Sequence, residues 1–182
     1  MKPPKLLTRR LRELALGLSL ASAAALSFAQ DNSRYITAPY GLSVEDEAAL
    51  KRVIVQLNHA LDLADYQLYA SLFAEDAEFV SDFGVAKGRE AITAALERSR
   101  PFISGKRHVA ANFLFSGSAA EARVTTYLIV FEREAAVQYV GSAINTDSFE
   151  KRDGRWVLVR HDSRLDPSTE AAMQAAIVSP RE

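Results

Sequence analysis

Groups able to move protons near neutral pH are few in this chain. There are three histidines, His59, His108 and His161, and no cysteine. An imidazole with an ordinary pKa of about 6.5 can take a proton and return it in the same reaction cycle. His108 stands in Gly105-Lys106-Arg107-His108-Val109-Ala110-Ala111-Asn112, between a basic pair and an apolar run that reads as a strand. By itself that placement fits a polar residue where a strand begins better than it fits a catalyst. His59 falls on the outer side of a helix. His161, within Arg160-His161-Asp162, reads as a surface or interface residue. Among the carboxylates, Asp62 lies at the edge of a helix's buried stripe, and Asp65 reads as a helix cap. Asp82 precedes Gly84 and could bind turn amides, and Asp147 could pair with an arginine on a neighbouring strand. No His/Asp/Glu cluster has metal-ligand spacing, so no metal and no cofactor are expected.

These side chains must be positioned by a small number of elements. Ser43 can cap a helix, with Asp46 three residues on and Glu45 and Glu47 suited to its positive end. Leu50, Val53, Ile54, Leu57, Leu61 and Ala64 then recur at helical spacing, and one stripe faces the core. After Asp65 a short helix is expected to carry Leu68, Tyr69, Leu72 and Phe73 inward. Residues 77–83 read as a strand, Gly84 and Gly88 bracket a turn, and residues 89–98 read as a third helix that Pro101 stops.

From there the pattern is strand and turn, over residues 107–115, 121–133, 137–151 and 155–165. The last two are joined by Arg152-Asp153-Gly154, whose Asp-Gly pair suits a tight hairpin. On the third of these strands, alternation places Tyr139, Gly141, Ala143, Asn145, Asp147 and Phe149 on one face, and Val140, Ile144 and Thr146 on the other. On the first, Val109, Ala111, Phe113 and Phe115 share an apolar face that needs a cover, which a homodimer would supply. A short helix over 169–177 closes the chain. Helices first and a meandering antiparallel sheet afterwards make an α+β single domain.

The first thirty residues differ from the rest. Lys2, Lys5, Arg9, Arg10 and Arg12 precede an apolar run over 14–26 that ends in Ser27-Phe28-Ala29. This is the three-part form of a cleavable signal peptide, and the run is too short for a bilayer span of about 20 residues. The expected organisation is a signal peptide over 1–29, a flexible lead-in over 30–42, a domain over 43–166 and a tail over 167–182. The expected location is periplasmic or secreted. Removing residues 1–29 takes five of the 22 basic residues and one of the 23 acidic ones, leaving a net charge of −5. A mildly acidic chain without a basic stripe is not a nucleic-acid binder. Once cut, it has no membrane segment.

The string ALDLADYQLYASLFAEDAEFVSDFGVAKGREAI, with the later SFEKRDGRWVLVRHDSRLD, resembles the nuclear transport factor two-like superfamily in its SnoaL-like branch. The resemblance covers residues 43–166. It implies a cone, in which a strongly curved antiparallel sheet wraps around three N-terminal helices and leaves a cavity at the open end. The family includes scytalone dehydratase, ketosteroid isomerase, limonene epoxide hydrolase, polyketide cyclases and many non-enzymes, so fold does not fix activity. A scytalone dehydratase-like template falls on Asp62, His108 and Asn145, but its second histidine falls near Thr126 and its tyrosine becomes Leu61. A ketosteroid isomerase-like template falls on Asp82 and Asp147, with its tyrosine near Leu57. The resemblance thus implies Asp62 and His108 as catalytic residues, and Asn145, Asp147, Asp82 and Tyr139 as contacts to a small apolar or polyketide-like molecule. The implied activity is a cofactor-independent dehydratase or isomerase of a cyclic ketone. The alternative is a non-catalytic binder of a hydrophobic small molecule.

Overall fold

The computed structural model describes residues 41–135 and 138–178. The signal peptide expected over 1–29, most of the expected lead-in and the last residues of the tail lie outside the described residues. Ser43 caps helix α1 (Val44–Asp62), its side chain accepting from the Asp46 amide at 3.0 Å. Asp65 caps the short α2 (Tyr66–Ser71) by accepting from Leu68 N at 3.0 Å. Strands β1 (Phe73–Ser81) and β2 (Gly84–Lys87) form a hairpin, and α3 (Arg89–Ile103) follows. Then come β3 (Lys106–Gly117), β4 (Glu121–Glu132), β5 (Tyr139–Arg152), β6 (Arg155–Leu165) and α4 (Pro167–Val178). The fold is α+β, with one curved, unclosed sheet ordered β2-β1-β6-β5-β4-β3. All its pairs are antiparallel except β1–β6.

α1 is tied to the sheet at both ends. Near its start, Asp46 Oδ1 accepts from Lys151 Nζ at 2.6 Å and Trp156 Nε1 at 2.8 Å, so the β5–β6 hairpin grips the helix. The lysine ammonium and the indole N–H hold the Asp46 carboxyl down at about 2. Between the ends, Leu50, Ile54, Leu57 and Ala60 pack with Phe73, Ile92, Val124, Phe149 and Leu158 in one apolar core. Asp153 and Gly154 both take positive φ in the β5–β6 turn, as the Asp-Gly pair implied.

Several local expectations need correction. Leu68 is 46% exposed, and Tyr66 takes the inward place instead. α3 runs two residues past Pro101, because the ring removes one donor in the last turn while Ile103 gains contact with the core. Residues 84–87 are a strand rather than a turn, leaving Asp82 and Phe83 as the hairpin connection.

The larger corrections share one cause, the β-bulge. An extra residue in one strand reverses which face the following residues occupy, and it bends the sheet. In β3, Asn112 at φ 52° and Phe113 lie between the pairs Ala111↔Tyr127 and Leu114↔Thr125, opposite Thr126 alone. Ala110, Phe113 and Phe115 therefore face the core, while Val109 and Leu114 face out; the single apolar face expected for 109–115 is split. In β5, Val140 is extra between Gly141↔Val130 and Tyr139↔Phe131, so Tyr139 leaves the inner face and is 52% exposed. In β6, Val159 is extra between Leu158↔Phe149 and Arg160↔Ser148, so His161 turns inward.

α4 meets the sheet through Thr169, which is buried and whose Oγ1 accepts from Ser142 N at 2.9 Å. Gly141 makes room for it. A Cβ there would lie 2.4 Å from Thr169 Cγ2. Gly141→Ala is expected to lose about 1–3 kcal/mol by overpacking. It should also speed amide exchange at Ser142 and in the first turn of α4, while the amides of Ile54 and Val124 stay protected. Hydrogen exchange read residue by residue checks this.

Candidate functional site

The site begins with a carboxylate in an unfavourable place. Asp62 is the last residue of α1, where the helix dipole presents negative charge, and it is only 6% exposed. It is held there by donors from β3, a distant part of the chain. His108 N donates to Oδ1 at 2.9 Å, and Arg107 Nη1 donates to Oδ2 at 2.9 Å. His108 Nδ1 lies 2.8 Å from Oδ1. Arg133 reaches the backbone carbonyl of Asp62 from the end of β4 at 3.4 Å. The chain can turn away immediately after this point because Ala64 takes positive φ and Asp65 N bonds back to Ala60 O at 2.9 Å.

This arrangement fixes the chemistry of His108. An ionised carboxylate only accepts, so the imidazole proton sits on Nδ1 and Nε2 keeps its lone pair. Burial pushes the His108 pKa below its ordinary value. Asp62 opposes that shift, and Lys106 and Arg107 add to it. The group is therefore a neutral imidazole at pH 7, ready to accept a proton at Nε2.

Further along the inner face lies a second set of buried polar groups. Thr126 on β4 and Asn145 on β5 are register partners, 1% and 4% exposed. Thr126 Oγ1 and Asn145 Oδ1 have no hydrogen-bond partner among the described residues. Asp147, two residues on and 1% exposed, places Oδ1 2.6 Å from Nδ1 of His161. The structure thus holds two buried carboxylate–imidazole pairs. His161 is the functional candidate that sequence reading placed on the surface, and Asp147 pairs with it rather than with an arginine.

Two expected contacts are not brought to this interior. Asp82 is exposed in the β1–β2 turn, where it accepts from Leu165 N at 2.7 Å and Arg164 Nη1 at 3.2 Å and fastens the end of β6. Tyr139, on the outer face, donates to Ser142 Oγ at 2.8 Å. His59 is exposed. Two surface hollows of about 600 Å³ lie elsewhere, one beside Ser116, Ser148 and Phe149, the other beside Glu75, Lys87 and Arg89. Neither is lined by Asp62, His108, Asn145 or Asp147. Among the described residues, no group of three or more His, Asp or Glu side chains is placed to hold a metal ion. No helix among them is long and apolar enough to cross a membrane.

Comparison with known proteins adds to this geometry. A family model described as a SnoaL-like domain matches residues 42–162. A Nostoc punctiforme protein of unknown function with a cystatin-like fold is 30% identical with a TM-score of 0.67, covering 70% of this chain and 96% of its own. A scytalone dehydratase candidate from Novosphingobium aromaticivorans is 25% identical with a TM-score of 0.60, covering 68% of this chain and 85% of its own. ActVI-ORFA from Streptomyces coelicolor is 26% identical with a TM-score of 0.60, covering 66% of this chain and 97% of its own. A comparison with curated proteins returned no match.

The protonation state is directly measurable. ¹⁵N spectra of the His108 ring should show the Nδ1–H tautomer at pH 7 and a midpoint below 6.5, and Asp62→Asn should lower that midpoint further. The linkage follows. The unfolded chain takes up a proton on His108 near pH 6.5 while the folded chain resists it, so stability falls as pH drops below about 6.5. Urea midpoints between pH 7.5 and 5.5 should show a shallower fall in His108→Gln.

Proposed function

The chain belongs to the SnoaL-like domain family, and from that membership together with the buried Asp62–His108 pair we propose that it is an exported, cofactor-independent dehydratase or isomerase of a cyclic or polyketide-like ketone. The observation that carries the reading is the Asp62 Oδ1 to His108 Nδ1 contact at 2.8 Å, which leaves Nε2 as the one basic nitrogen of a buried imidazole.

The chemistry runs through that atom. His108 Nε2 removes a proton from the carbon beside the carbonyl, and Asp62 stabilises the imidazolium that forms. Negative charge grows on the carbonyl oxygen. The Asn145 amide can meet it with N–H, since an amide can present either its oxygen or its NH₂ to a bound molecule. For a β-hydroxy ketone the enolate electron pair then forms the new C=C bond as the C–O bond breaks. The proton from His108 goes to the departing hydroxyl, and water leaves. For an isomerase, the same proton returns at another carbon.

A simple probe for the dehydratase form is 3-hydroxy-1-tetralone, whose loss of water gives fluorescent 1-naphthol. Wild type is expected to accelerate that loss. His108→Ala and Asp62→Asn should each reduce the rate by a factor of about 100 or more while circular dichroism shows an intact fold. A wild type that binds 1-naphthol but accelerates nothing overturns the catalytic reading and leaves the family's binding role.

Two further parts of the proposal have their own tests. The basic start, the apolar run and Ser27-Phe28-Ala29 motivate cleavage after Ala29, so mass spectrometry of protein from the native host should find Gln30 at the mature N-terminus. The outer face of β3, β4 and β5 exposes Val109, Leu114 and the register partners Tyr127 and Ile144, and a second copy of the chain covers them. Sedimentation velocity should find a dimer that Leu114→Glu/Ile144→Glu converts to monomer. A monomeric wild type at 50 μM removes the dimer from the proposal.

A further inference from the structure

His108 accounts for one of two buried carboxylate–imidazole pairs. The other, Asp147–His161, has no part in the chemistry above, and its surroundings differ. The His161 ring stacks on Phe79 with centroids 5.1 Å apart and planes 22° from parallel, and Phe73 meets it edge-on at 6.4 Å. Its side chain is 9% exposed. Nδ1 is taken by Asp147, and no hydrogen bond to Nε2 forms among the described residues. On the same inner face, Thr126 Oγ1 and Asn145 Oδ1 also lack partners among the described residues. Asn145 and Asp147 are two residues apart on β5, about 7 Å along the strand. Asn145 pairs with Ser163 in the register, and Asp147 pairs with His161.

A core built only for stability would not contain this. Replacing a buried ion pair with apolar residues of similar volume is often neutral or stabilising. Each buried polar atom left without a partner is a further cost. Two such atoms on adjacent strands, Thr126 Oγ1 and Asn145 Oδ1, stand beside His161 Nε2, which is backed by a carboxylate and walled by aromatic rings, and together they make a polar floor that an oxygen-bearing flat ring would satisfy.

We infer that His161, oriented by Asp147, is a second ligand-contacting residue, whose Nε2 bonds an oxygen on the ligand remote from the end that His108 serves. The inference rests on the reading of this interior as a ring-binding site and adds a requirement to it. The ligand carries oxygen at two separated positions, one at the end served by His108 and Asn145 and one at His161. Asp147 acts through His161. Its carboxylate occupies Nδ1, which leaves Nε2 to bond a ligand hydroxyl.

The test compares two probes on the mature protein, 1-naphthol with one oxygen and 1,6-dihydroxynaphthalene with an oxygen on each ring. Wild type should bind the diol about tenfold more tightly, the effect of one added hydrogen bond in a dry site. Removing His161 alone would strand the Asp147 charge, so the pair is replaced together as Asp147→Leu/His161→Phe. That variant should bind both probes equally, with its 1-naphthol affinity within about threefold of wild type. Independently of any variant, the His161 ring ¹⁵N resonances of wild type should move on saturation with the diol and stay in place with 1-naphthol. A folded double variant that keeps the tenfold preference, or a His161 ring that does not respond to the diol, overturns the inference and leaves the pocket reading standing. Failure of both probes to bind wild type overturns the pocket reading itself, and this inference falls with it.

Discussion

The placement of Asp62 constrains everything around it. A carboxylate at the C-terminal end of a helix, out of contact with water, is opposed both by the helix dipole and by desolvation. It is tolerable only if cationic and N–H donors arrive from elsewhere and stay. They come from Arg107 and His108, 45 and 46 residues along the chain. The end of α1 therefore cannot form its native surroundings until β3 has docked. Asp46 plays the matching part at the other end, tying α1 to Lys151 and Trp156. Between two anchors so distant in sequence, α1 has one allowed position inside the sheet. The imidazole that bonds Asp62 inherits that rigidity.

Curvature is the second requirement, and the bulges supply it. A flat sheet of this size would expose both faces and enclose nothing. The extra residues at Asn112, Val140 and Val159 bend β3, β5 and β6. Each also exchanges the faces of the residues beyond it. The polar floor is a product of this: Asn145 and Asp147 stay inward on β5, and the bulge at Val159 brings His161 to meet Asp147.

The same bulges mark where the sequence stops being legible. Elements governed by local chemistry could be read directly. Ser43 and Asp65 cap as their types imply, Asp153-Gly154 turns, and the α1 stripe packs through Leu50, Ile54 and Leu57. Asn145 and Asp147 face inward as alternation required, because no bulge lies between them and Phe149 on β5. Tyr139 and His161 were misplaced, since one uncounted residue per strand reverses the face and no residue type announces it. Asn112 is a partial exception: asparagine tolerates positive φ better than most, and its place in an apolar run was the one available signal. The hairpin bond from Leu165 to Asp82 was hidden for another reason, because it joins residues 83 apart.

The two carboxylate–imidazole pairs are built from the same groups but are not equivalent. Asp62 divides its charge among Arg107, the His108 amide and the His108 ring, so less of it is available to hold a proton on the imidazole. Burial prevails, and His108 stays neutral and basic. Asp147 has His161 as its one hydrogen-bond donor among the described residues, within aromatic walls that screen little. Its charge also adds to the burial that pushes the Tyr69 hydroxyl up. A carboxylate with a single donor fixes that donor's ring more firmly than one shared among three. On the proposed reading, the imidazole whose carboxylate is shared among three donors gives and takes the proton, and the one with a carboxylate to itself holds the ligand.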